Sequence, residues 1–250
     1  MRFNQHGLMA FEFLISIAIS GILCGILLNY YLQSKQMANL SSSVRKIQLS
    51  GNDAIQFINS EIHLAGYIGC PRLSESFHVL PYQQYNLMAS NKLVISGAEL
   101  ISRHAARKSA TLLQYDERLY VSDNITFRRN DVLLISNCKC AEIFQIAKFR
   151  HVNNTIVITP KAPLRCKLEE NMEVSPFIEN RIFIKKSNTI AGDSTLYVKN
   201  RNALAKPVAY GIEAVHFDSI FQAEMLIGIK YEIHQFAEKV ESIRHAYALI

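Results

Sequence analysis

The sequence predicts an α+β fold, with one long N-terminal helix packed on a mostly antiparallel β-sheet head. Three observations carry that prediction. An apolar run opens the chain, "HGLMAFEFLISIAISGILCGILL", residues 6–28. A stretch with apolar residues three and four apart follows it to about residue 65. From residue 71 onward the pattern turns to short β-branched and aromatic segments separated by turn residues.

The apolar run comes first. From Leu8 to Leu28 its only strongly polar member is Glu12, and a helix of that length covers about 31 Å, enough to cross a bilayer core. A cleaved secretion signal needs several positive charges ahead of a short core and a small-residue site after it. Here the leader carries only Arg2, and "LNYYLQSKQ" follows the core. An ordinary membrane anchor explains the length but not Glu12, because an ionisable group inside a membrane is costly and usually functional. A third reading places cleavage before the core, after the lone Gly7. Glycine lets extended backbone approach a catalytic centre closely.

Beyond the run, Met37, Leu40, Val44, Ile47, Ala54, Ile58, Ile62 and Ala65 trace one helical face, with Gly51 filling its gap. Lys35, Arg45, Lys46, Asp53 and Glu61 lie between them and read as mostly facing away. A coiled coil would need a longer stripe with ordered flanking charges. The helix is therefore expected to run unbroken to Ala65 and stop at Gly66, about 87 Å in all. Residues 8–32 form its hydrophobic, membrane-spanning part and residues 33–66 its amphipathic continuation.

Residues 67–250 are expected to form the β-rich head. "KLVIS", "TLLQYD", "RLYVS", "DVLLIS", "EIFQIAKF", "TIVIT", "RIFIKK", "TLYVK", "AVHFD" and "IGIKYEI" read as strands. "RHVNN" and "NTIAGD" read as loops with turn chemistry. No internal repeat or low-complexity linker interrupts them.

Composition narrows the function classes. With 49% hydrophobic and 19% charged residues in 250, the chain is not globally disordered. The net charge of +6 is scattered, and the short clusters at "RHAARK", Arg128–Arg129 and Lys185–Lys186 read as solvated strand edges and loops. They lack the interleaved aromatics of a nucleic-acid groove, so no nucleic-acid partner is expected. No Gly-x-Ser-x-Gly, His-Glu-x-x-His or glycine-rich phosphate loop occurs. Of the dispersed histidines, His63 falls on the helix and His216 and His234 on strands, and they read as surface or satisfied core residues. Asp116–Glu117 and Glu169–Glu170 read as turn or rim charges. Nothing in this pattern requires an enzyme or a cofactor.

Of five cysteines, Cys24 lies within the apolar run as a small hydrophobe. Cys70, Cys138, Cys140 and Cys166 follow an export segment and are disulfide candidates in an oxidising compartment. Three connectivities remain open. A four-thiolate metal site is disfavoured because Cys-x-Cys lacks the usual ligand spacing.

Gly7, then Leu8, Met9, Ala10 and Phe11, then Glu12 and a long apolar run, together resemble a type IV prepilin signal. "FINSEIHLAGYIGC", "NDVLLISNCKCAEIFQI", "STLYVKN" and "PVAYGIEAVHFD" are similar, in that order, to segments of PilW-type minor pilins. The likeness extends from residue 7 to about residue 218. It implies a pilin-like fold and a leader, residues 1–7, removed after Gly7 by a prepilin peptidase that methylates Leu8. It also implies that Glu12 pairs with the N-terminal amine of a neighbouring subunit during assembly, so that each buried charge gains a partner. By the same resemblance the protein first sits in the inner membrane of a Gram-negative bacterium with its head in the periplasm. Later it joins the pilus at the cell surface.

The partners so implied are membrane lipid, the inner-membrane assembly platform, other minor pilins, the major pilin and a large tip adhesin. The implied role is to prime pilus assembly in support of adhesion and twitching motility. Two departures stand out: Leu8 replaces the usual phenylalanine, and no proline precedes Pro71. The resemblance favours a Cys70–Cys138 bridge, leaving Cys140–Cys166, with Cys138–Cys166 as a rival pairing. A direct Cys138–Cys140 bridge closes too short a loop for unstrained geometry. A minor pseudopilin of a type II secretion system shares the same N-terminal logic. A DNA-binding pilin of natural transformation would rest on the basic balance alone.

Overall fold

The computed structural model describes residues 5–69, 77–88, 90–186, 194–201, 203–222, 225–237 and 240–249. One helix, α1 (Gln5–Leu64), opens the chain. Its buried side chains follow the predicted stripe at Ile47, Ala54, Ile58 and Ile62, with Ala65 just beyond. Met37 and Leu40, assigned to the same stripe, are instead 69% and 46% exposed, because burial against the head begins only at Ser43. Lys35, Arg45, Lys46 and Asp53 do face outward. Glu61 does not: it is buried, which corrects its reading as a solvent-facing charge.

Gly66 ends the helix in the left-handed region, at φ 77°, where a residue without Cβ is at ease. Its N–H donates to the Arg103 carbonyl at 2.9 Å, and the Ala105 N–H donates to the Tyr67 carbonyl at 2.7 Å. The helix end is thereby tied to a strand.

Fourteen strands follow among the described residues. They are β1 (Val79–Leu80), β2 (Leu93–Ser96), β3 (Glu99–Ala105), β4 (Ala110–Tyr115), β5 (Leu119–Ser122), β6 (Val132–Ser136) and β7 (Ala141–Val152). After them come β8 (Thr155–Pro160), β9 (Glu173–Lys186), β10 (Ser194–Asn200), β11 (Lys206–Tyr210), β12 (Ile212–Gln222), β13 (Met225–Ala237) and β14 (Val240–Leu249). Every segment read as a strand lies on one of them, while β1, β3, β11, β14 and the first half of β9 were not anticipated. The first three residues of "RHVNN" belong to β7, and the turn falls at Asn153, with φ 52°. "NTIAGD" lies outside the described residues.

Pairing is antiparallel apart from β1 with β7 among the described pairs. β9 organises the larger sheet. Its N-terminal end pairs with β4 and β6, and its remainder with β3 and β10. Following the ladders from β9 through β4, β5, β8, β7 and β6 leads back to β9. These six strands close into a small barrel, which removes their free edges. Leu112, Leu119, Val121, Phe127, Leu133, Ile135, Phe144, Ile146, Ile156 and Ile158 fill its core.

The other half of β9 belongs to an open sheet with β2, β3, β10 and β11. A separate three-stranded sheet is ordered β12-β13-β14. One hydrophobic core joins both sheets to α1: Ala54, Ile58 and Ile62 meet Leu100, Ile182 and Leu196 from one, and Val215, Tyr231 and Ile233 from the other. Gly51 lies so close to the buried Gln235 amide that a Cβ would collide with it. Ile58 has no exposed surface, so Ile58→Ala is expected to destabilise the head by about 2–5 kcal/mol through lost burial and a cavity. Leu204→Ala, at a side chain 89% exposed, should stay within about 0.5 kcal/mol. Chemical denaturation of the full chain in detergent, followed by far-UV circular dichroism, measures both.

Candidate functional site

The part of the molecule that the fold leaves undone is the first half of α1. Every residue from Glu12 to Ser42 is exposed, and the most apolar stretch of the helix has a mean hydropathy of 2.1 with none of it buried. No Asp, Glu, Lys or Arg lies between Glu12 and Lys35, and the residues between them span roughly 33 Å of helix. The helix is thus long and apolar enough to cross a membrane. Tyr30 and Tyr31 sit near its distal end, 72% and 62% exposed. Amphipathic rings suit the level of lipid headgroups.

The sequence-predicted site residues fall at the other end. Gly7 and Leu8 lie within α1, and Leu8 is one helical turn before Glu12. Glu12 is exposed, with Phe13, Leu14 and Ile15 beside it at 68%, 64% and 42% exposure. The Ser16 hydroxyl donates to the Glu12 carbonyl at 2.9 Å, leaving the carboxylate itself uninvolved in that bond. A carboxylate beside exposed apolar side chains can be satisfied by a positive charge or by water at an interface.

The second half of α1 is fastened by polar contacts that hydrophobic periodicity alone does not reveal. The Glu61 carboxylate accepts from the Asn180 side-chain amide at 3.0 Å and lies 3.4 Å from His104 Nε2. The Ser102 hydroxyl donates to the Glu61 carbonyl at 3.0 Å. His104 is 2% exposed, and its Nδ1 lies 2.8 Å from the Ala105 carbonyl, an acceptor, so Nδ1 carries the hydrogen. Beside this knot Glu179 bridges Arg103 at 2.7 Å and Arg201 at 3.4 Å. The start of "RHAARK" is accordingly a partly buried structural element and not a solvated edge.

From the opposite sheet the Tyr231 hydroxyl donates to Asn59 Oδ1 at 2.7 Å, and burial pushes its phenol pKa up. The Gln235 amide donates to the Ile47 carbonyl at 3.0 Å, Arg244 to Asn52 at 2.7 Å, and Ser50 to the Tyr210 carbonyl.

Cys140 and Cys166 form a disulfide with a Cα–Cα distance of 6.1 Å, which excludes the rival Cys138–Cys166 pairing. Cys138 is also disulfide-bonded; Cys70 lies outside the described residues. Next to the bridge, the buried Glu142 carboxylate accepts from the Arg165 and Cys166 backbone N–H groups at 2.7 and 2.8 Å. Cys24 is free and exposed on the bare helix.

One further cluster escaped the sequence reading. His216 and His234, which look dispersed in the chain, lie together on the three-stranded sheet with His245 and Glu232. The signal that would have found them is the pairing register, which a single sequence does not display.

Comparison with protein-family models, curated proteins and solved structures returns no match. What fold and site define together is an α+β protein whose head holds one end of a long helix and leaves the other end bare.

Two substitutions probe the fastening. Glu61→Ala is expected to cost on the order of 3 kcal/mol, since it strands buried His104 and half-buried Asn180, whereas the exposed Asp53→Ala should change stability by less than about 0.5 kcal/mol. Amide hydrogen exchange in residues 55–66 should accelerate in the first variant alone. Replacing Cys140 and Cys166 together by serine should cost about 2–4 kcal/mol, read from denaturation midpoints with and without reductant.

Proposed function

We propose that this chain is a PilW-like minor pilin of a Gram-negative type IV pilus, a structural subunit that primes assembly and takes a place in the tip complex. The observation that carries the reading is Glu12, a lone carboxylate on an uncovered apolar helix, five residues beyond Gly7. Cleavage after Gly7 creates an amine at Leu8, the one new positive charge the segment could supply. In hydrocarbon that amine and the carboxylate each need a partner, and pairing between neighbouring subunits satisfies both while setting their register. Glycine at the cut lowers the cost of unwinding the first turn for the peptidase.

The burial pattern of α1 supports this division of labour. Residues from Ser43 onward hold the head, while those before it are free to dissolve in lipid and later pack against other pilin helices. Prepilin peptidase, the inner-membrane assembly platform, other minor pilins, the major pilin and a large adhesin are the corresponding partners. The head waits in the periplasm and reaches the cell surface with the pilus.

Mass spectrometry of the protein from its native host tests the reading directly. The expected mature N-terminus is Leu8, methylated, and any other N-terminus overturns it. Glu12→Ala should leave cleavage intact and lower incorporation into sheared pili by about tenfold, the equivalent of about 1.4 kcal/mol per subunit contact. Unchanged incorporation would refute the register role. Co-purification with secretion components in place of pilus components would reassign the subunit to a pseudopilus.

A further inference from the structure

The face of the β12–β14 sheet turned away from α1 carries a donor set that neither the fold nor the assembly role uses. Tyr231, Ile233 and Gln235 of β13 point into the helix core or touch α1. Strand alternation therefore turns Glu232 and His234 outward. Across the ladders His216 of β12 and His245 of β14 both stand in register with Glu232. Three imidazoles and a carboxylate thus share one exposed face on three adjacent strands.

Side-chain rotation would bring their donor atoms around a single small cation. In a tetrahedral site with bonds near 2.0–2.1 Å, donor atoms sit roughly 3.3 Å apart, and two coordinated imidazole rings have centroids roughly 5 Å apart. Here His234 Nε2 lies 2.9 Å from Glu232 Oε1, and His245 Nδ1 lies 3.5 Å from Glu232 Oε2. The His216 and His234 rings are 5.5 Å apart, nearly perpendicular. With the rotamers as placed, no three such side chains among the described residues form a metal site, because Glu232 bridges two imidazoles through different oxygens. His245 is 54% exposed, Glu232 31% and His234 28%, so the side chains have room to turn. On the same face the neighbouring charges Asp218 and Lys230 pair in register, and Asp218 is exposed.

We infer that this face binds one zinc-class divalent ion through His216, His234, His245 and Glu232. The ion replaces the His–Glu contacts, and the imidazoles coordinate as neutral rings, releasing any proton they hold. Imidazole with one carboxylate suits zinc, nickel or copper in preference to magnesium or calcium. This site is independent of the pilin reading and stands or falls separately.

The test is Zn2+ titration of the full chain, purified without a histidine tag in detergent, against a chromophoric chelator at pH 7.5. One ion per chain is expected. His234→Gln, His245→Gln and Glu232→Gln should each weaken binding by about tenfold or more, given that even residues behind the ligands matter that much. His63→Gln, on the exposed face of α1, should leave it unchanged. Saturating Zn2+ should raise the unfolding midpoint of the unsubstituted chain and of the His63→Gln variant, but not that of the combined His234→Gln and His245→Gln variant. Absence of saturable one-to-one binding, or binding that survives the combined His234→Gln and His245→Gln change, would overturn the assignment.

Discussion

The structure depends on the docking of one helical face, from Ser43 to Ala65, into a core shared by two sheets. Both sheets bury apolar residues against the helix. Ala54, Ile58 and Ile62 fill the space between Leu100, Ile182 and Leu196 on one side and Val215, Tyr231 and Ile233 on the other. Small residues let the backbone come close at Gly51 and Ala54. The polar contacts of Glu61, Asn59, Asn52 and Ile47 then fix the helix's rotation and its axial position. Hydrophobic burial supplies the driving force but is non-directional, so these polar contacts supply the specificity.

β9 carries that constraint into the rest of the head. The same strand is a wall of the closed barrel and a central strand of the sheet under α1. The barrel therefore cannot shift without disturbing the helix-facing core. Its own core is separate, and the Cys140–Cys166 bridge, with buried Glu142 beside it, staples the segment between β8 and β9. A head built this way can present a fixed surface while residues 12–42 of α1 stay exposed.

Much of this was legible in the residues. The helix was readable because its period of 3.6 persists from the apolar run through Ala65, and Gly66 supplies a stop with a mechanism. Ten strands were readable because β-branched and aromatic runs alternate between turn residues. β3 was hidden because "ELISRHA" mixes charges into a strand whose Arg103 and His104 find partners only in the folded head. The first half of β9 was hidden by Pro176, which usually argues against an interior strand. Met37 and Leu40 followed the helical stripe but lie beyond the head's reach, a distance that periodicity does not encode. Gly7, Leu8 and Glu12 stood out because a charge in an apolar run conflicts with its surroundings locally.

The sequence by itself determined the element types, the long bare apolar helix and the isolated carboxylate within it, because these follow from composition and periodicity along a contiguous stretch. Only the tertiary structure decided the closure of the barrel, the burial of Glu61 against His104, the Cys140–Cys166 pairing and the meeting of His216, Glu232, His234 and His245. Each of those joins residues far apart in the chain. Register between strands sets them, and register is the outcome of the whole core's packing.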